Sequence, residues 1–101
     1  MIPQRVTLIT LGTADLSRAK AFYGRLGWQP VQEQEGVAFY QLNGMGLGLF
    51  GHDALAADQG RPGAKLGTGA MTLAQNFVTR AEVDAAYAAA LEAGGTGLKA
   101  P

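Results

Sequence analysis

The sequence predicts an α+β domain: a β-α-β-β-β unit followed by a strand and a helix that begin the same pattern again. Three observations carry this. Short β-branched or alternating runs surround one helical stripe between residues 6 and 50. A strand-helix pair returns further on, with Val6-Thr7-Leu8 echoed 65 positions later by Met71-Thr72-Leu73 and Phe22-Tyr23 echoed at nearly the same distance by Ala86-Tyr87. Both helical stretches stop at glycine, Gly27 and Gly94-Gly95. Agreement of order, spacing and stops is the signature of one supersecondary unit used twice.

Val6–Leu11 is short and rich in β-branched residues, which predicts a strand. Its alternation puts Val6, Leu8 and Thr10 on one face and Thr7, Ile9 and Leu11 on the other. Neither set is strongly polar, so both faces are expected to be covered. After the connection Gly12-Thr13-Ala14, Asp15 is placed to cap a helix, its carboxylate accepting from amides of the first turn. Leu16, Ala19, Phe22, Tyr23 and Leu26 then form one apolar stripe, with Gly27 as the left-handed stop. Trp28–Gln34, with Pro30 near its start, reads as an edge strand. Val37–Leu42 and Met45–Phe50 flank Asn43-Gly44, a strong hairpin signal. Gly46 and Gly48 leave room on one face for a side chain, a backbone or a ligand.

His52–Asp58 is expected to make a short helical turn, and Gln59–Gly69, with four glycines and a proline, a loop. Ala70–Phe77 reads as a strand. Thr79 caps a helix over Arg80–Ala93, with Glu82 placed to complete a capping box and Val83, Ala86, Tyr87, Ala90 and Leu91 on its buried side. The expected organisation is one domain with a first module over 1–51, a linker over 52–69 and the start of a second module over 70–101.

Composition narrows the function classes. Hydrophobic residues make up 48% of the 101-residue chain and charged residues 16%, which suits a packed core. Eight basic and eight acidic residues balance. The basic ones are scattered, so no footprint for nucleic acid or an anionic membrane is expected. With no cysteine, thiolate nucleophiles, thiolate metal sites and disulfides are excluded. No apolar run approaches the ~20 residues of a membrane span, and MIPQR lacks a signal-peptide core. A cytoplasmic location follows as the expectation.

The stretch VTLITLGTADLSRAKAFYGRLGWQPV resembles the opening of the vicinal oxygen chelate superfamily, which includes glyoxalase I, bleomycin-resistance proteins and extradiol dioxygenases. The resemblance rests on a strand, then Asp15-Leu16, a helix carrying Phe22-Tyr23, and Leu26-Gly27-Trp28. It extends over Val37–Phe50 and, more weakly, Met71–Gly95. It implies paired βαβββ modules whose sheets enclose a ligand cavity, and a homodimer, since members commonly dimerise. On that reading the second module lacks its last strands, so the sequence is expected to be a truncated piece of a longer domain.

Metal-dependent members place His, Gln and Glu side chains in that cavity, where a divalent ion acts as Lewis acid. The resemblance aligns their first ligand with Leu8, the fourth-strand ligand with Leu47-Gly48-Leu49, and the second-module ligand with Thr72-Leu73-Ala74. None of these side chains suits a metal, so no metal site and no cofactor are predicted. The implied cavity set is Leu8, Thr10, Gln41 (or Tyr40, depending on register), Leu49, Leu73 and Gln75, with Trp28 and His52 at the rim. His52, the single histidine, has no second His and no converging carboxylate on its element. No catalytic residue can be named. The expected function is metal-free binding of a small organic ligand. The alternative is a metal-dependent lyase, isomerase or dioxygenase whose remaining ligands lie beyond Pro101.

Overall fold

The computed structural model describes residues 2–101. Its elements run β1 (Leu8–Thr13), α1 (Leu16–Arg25), β2 (Gln32–Gln34), β3 (Val37–Gln41), β4 (Gly46–Gly51), α2 (His52–Asp58), β5 (Met71–Ala74) and α3 (Arg80–Glu92). The strands form one sheet in the order β2-β3-β4-β1-β5. β1 runs parallel to β4, from Leu8↔Gly46 to Thr13↔Gly51, and every other pairing is antiparallel. The α+β class and the order β-α-β-β-β then strand-helix are those expected. The second unit's strand does not begin a sheet of its own: β5 lies antiparallel against β1, the strand it echoes in sequence. Equivalent strands side by side and antiparallel are what a local two-fold between two like units produces.

Helix boundaries follow capping chemistry. The Asp15 side chain accepts from the Arg18 amide at 3.0 Å and opens α1. Leu26 is the C-cap, and Gly27 follows at φ +87°, a conformation that strains any residue with a Cβ. At α3 the Thr79 hydroxyl accepts from the Glu82 amide at 3.1 Å while Glu82 accepts from the Thr79 amide at 3.2 Å, completing the capping box. The β3–β4 turn is closed by the Leu42 amide donating to Met45 O at 2.8 Å. Only Gly44 takes positive φ, at +87°, so Asn43-Gly44 has the φ pattern of a type II turn rather than the doubly left-handed type I′.

Several strand ends differ from the sequence expectation. β1 begins at Leu8 and continues through Gly12 and Thr13, because β4 pairs with it to Gly51 and the Gly12 amide donates to Ala70 O at 2.9 Å. Trp28–Pro30 is not strand: the Trp28 amide is taken by Tyr23 O at the helix end, and Pro30 has no amide to give. β5 stops at Ala74 because Gln75 and Asn76 turn to the N-terminal arm. Gln75 Nε2 donates to Pro3 O and Arg5 O, and the Asn76 amide to Thr7 Oγ1.

The register sorts the sheet into two faces. Ile9, Leu11, Ala38, Tyr40, Leu47 and Leu49 lie towards α1, where Ala38, Tyr40, Leu47 and Leu49 form the core with Leu16, Ala19 and Tyr23 packed on it. Phe22 and Leu26 remain exposed, so the buried stripe of α1 is narrower than its sequence suggests. Likewise α3 contains no fully buried residue, and Ala90 and Leu91 are exposed. The other face is covered at one end by α2, whose Leu55 and Ala56 are wholly buried. That contact needs Gly12. A Cβ there would sit 2.8 Å from Leu55 Cδ2, 3.1 Å from Ala70 Cβ and 3.2 Å from His52 Cδ2.

Two stability predictions follow from this packing. Gly12→Ala should destabilise the fold by about 1–3 kcal/mol, because the added methyl would force wholly buried Leu55 and the neighbouring Ala70 to shift; chemical denaturation measures this. Burial pushes the Tyr40 phenol above its ordinary value of 10.0, opposed by nearby Lys20 and reinforced by Glu33 and Tyr23. The native state therefore keeps this proton at a pH where the unfolded chain has lost it. The stabilisation is full below pH 10.0 and falls as pH rises from there through the higher folded value. Tyr40→Phe should flatten the loss of stability above that pH relative to the parent chain.

Candidate functional site

A groove of about 520 Å³ lies on the α2 face, at the end that α2 leaves uncovered. Leu8 from β1, Phe39 from β3 and Gly46 from β4 form its floor, and Met45 and Gly44 of the hairpin close one side. Gln32, Gln41, Asn76 and Thr7 supply its polar groups. The floor depends on absent side chains. A Cβ on Gly46 would come within 2.9 Å of Leu8 Cδ1. One on Gly48 would come within 3.2 Å of the Phe50 ring and of Thr10 Oγ1, and 3.3 Å of the Phe39 ring. The space beside these glycines is thus taken by neighbouring side chains, which allows Phe39 and Phe50 to meet edge to face at 5.8 Å.

The two pleat faces divide the residues expected to line one cavity. Leu8, Thr10 and Gln41 share the α2 face, but only Leu8 and Gln41 reach the groove. Thr10 is 3% exposed, closed in beside Phe50 and Gly48. Leu49 is on the opposite face, buried under α1. Leu73 pairs with Ile9, not with Leu8 or Thr10, so it too is on the α1 face. Thr72 and Ala74 are the β5 residues that share a face with Thr10 and Leu8. The expectation failed here because the two strands were aligned by sequence echo, whereas antiparallel pairing offsets their parity by one residue. Gln75 lies outside the groove and is spent on the N-terminal arm.

Neither rim residue adjoins the groove. Trp28 stacks on Tyr23 at 5.2 Å on the α1 face. His52 starts α2 beside Gly12. Gly12 is four strand residues from Leu8, or about 13 Å along the strand. Gln32, Phe39, Met45 and Asn76 were not anticipated. Phe39 was within reach, since it shares parity with Gln41 in Val37–Leu42. Asn76 was not, because its place depends on β5 folding back against β1.

The groove is electrically neutral: no ionisable side chain lines it. Its carboxamides can donate and accept hydrogen bonds without proton transfer. Gln41 Nε2 donates to Leu42 O at 2.9 Å, which leaves its Oε1 as the acceptor. A divalent ion does not fit these donors. On the α2 face Leu8, Thr10, Gly48, Phe50, Thr72 and Ala74 offer neither imidazole nor carboxylate. Among the described residues no three of His, Cys, Asp or Glu stand close enough to hold a metal. Among the same residues no helix is long and apolar enough to cross a membrane.

The model of the Glyoxalase/Bleomycin resistance protein/Dioxygenase superfamily matches residues 5–101. Among solved structures, a glyoxalase-related enzyme from Fulvimarina pelagi is similar at 35% identity with a TM-score of 0.57. The match takes in 91% of this chain and 66% of that one, so the chain spans just under two thirds of that protein's length. A hypothetical protein from S. aureus is 21% identical with a TM-score of 0.49, over 93% of this chain and 72% of its own. The family match runs through both sequence units and the βαβββ topology agrees with it: the chain belongs to the Glyoxalase/Bleomycin resistance protein/Dioxygenase superfamily.

Proposed function

We propose that the protein binds a small uncharged organic molecule in the groove on the α2 face, and does so without a chelated metal. The observation that carries this reading is the lining itself: Leu8 and Phe39 with three carboxamides, Gln32, Gln41 and Asn76, and no charged group. An apolar floor with a few hydrogen-bonding side chains is the usual build of a small-molecule site. Binding a charged ligand there would cost desolvation with no opposite charge to offset it. The same lining offers no general base and no nucleophile with a partnered base, so sequestration of the ligand suits it better than turnover.

Thermal unfolding in the presence of neutral ring compounds bearing amide or hydroxyl groups tests this. A ligand at a hundred times its Kd should raise the unfolding free energy by about 2.7 kcal/mol, a shift of several degrees in Tm for a domain of this size. Gln41→Ala should weaken binding by about three- to tenfold through one lost hydrogen bond, with the unliganded Tm little changed. Elemental analysis after exposure to Zn, Ni, Mn and Fe completes the test. Stoichiometric retained metal, with no response to neutral ligands, would overturn the reading in favour of metal-dependent lyase, isomerase or dioxygenase chemistry.

A further inference from the structure

We propose that the cleft between the end of α1 and the β3–β4 hairpin, on the opposite side of the sheet from the groove, is a second small-molecule site, selective for an uncharged planar aromatic carrying an amide. It has a volume of about 550 Å³, within the range of small-ligand sites. Trp28 and Tyr40 form its aromatic wall, and Gln29 and Asn43 bring carboxamides to its edge. No charged side chain lines it. Lys20 and Glu33, the charges that act on Tyr40, are joined in an ion pair and so present little net charge.

The wall is built before any ligand arrives. Trp28 is held through its amide to Tyr23 O at 3.0 Å, directly after the left-handed Gly27 that ends α1. Tyr23 stacks on the indole at 5.2 Å with an interplanar angle of 28°, and Tyr40 leans on it at 6.5 Å and 57°. Despite these two contacts Trp28 remains 39% exposed. An aromatic ring already fixed in place loses little freedom when a second ring stacks on it. Tyr40 is 3% exposed, and its phenol, protonated at neutral pH as any tyrosine is, adds no charge to the wall. Flanking carboxamides can both donate to and accept from an amide, which adds direction to stacking. The site shares only Gln41 with the groove, so the two can succeed or fail separately.

Trp28 is the single tryptophan of the chain, so one indole N–H resonance reports on the cleft. The experiment is an NMR titration with benzamide, and with cyclohexanecarboxamide as a non-aromatic match. Benzamide should shift the Trp28 indole resonance saturably, together with the backbone amides of Gln29 and Asn43. Cyclohexanecarboxamide should bind about tenfold more weakly, the loss expected for one stacking contact. Trp28→Leu should abolish the saturable shifts at Asn43 while the amides of Thr10 and Phe50 stay dispersed, which shows that the sheet remains folded. Should Trp28→Leu fail to fold, Gln29→Ala should weaken the benzamide response at the retained indole. A linear, unsaturable shift, equal binding of the two compounds, or shifts confined to Leu8, Phe39 and Gly46 would overturn the proposal. The last pattern would assign benzamide to the groove instead.

Discussion

The parallel ladder between β1 and β4 is the constraint on which the other parts depend. Parallel neighbours cannot be joined by a tight turn, so the chain must leave β1, cross over and return through other elements. Here α1, β2 and β3 fill that path, which is why the helix arrives over one face and the β3–β4 hairpin stands at one end. A central parallel pair is also apolar on both faces and needs cover on both. On one side α1 supplies it over Leu11, Ala38, Tyr40, Leu47 and Leu49. On the other, α2 reaches only the Gly12 end, through Leu55. The end it leaves uncovered becomes the groove.

This division explains why the groove is shallow, neutral and amide-lined. Small residues at Gly46 and Gly48 let Leu8, Phe39, Phe50 and Thr10 close over β4, so the floor is made of neighbours' side chains. On this face β1 and β4 carry leucine, threonine, glycine and phenylalanine, with neither imidazole nor carboxylate.

The second unit is attached by different means. β5 extends the sheet at β1, and α2 is tied to it through Gln59 Nε2 donating to Thr72 Oγ1 at 2.9 Å. On the α1 face, however, α1 lies over β3, β4 and β1 and does not extend to β5, so Met71 and Leu73 stay exposed at 47% and 58%. α3 contributes its capping box and little buried surface, since helical local order is set by the cap and the stripe even where tertiary packing is thin.

How much of this could be read from the residues varies with the range of the interaction involved. Local chemistry determined both long helices and their caps, the helical turn at His52–Asp58, the hairpin at Asn43-Gly44 and the family resemblance of the opening stretch. Each depends on residues within a few positions of one another. The alternation in Val37–Leu42 already put Gln41 and Phe39 on one side of their strand. Only the tertiary structure decided which strands share a face, because parity across a ladder depends on register, and one residue of offset exchanges the faces. That is how Leu73 and Leu49 came to lie under or beside the α1 face while Leu8 lines the groove. It is also how Trp28, adjacent in sequence to the helix stop, came to wall a cleft on the far side. Sequence periodicity specifies a strand's two sides; the pairing of distant strands decides which side faces the groove.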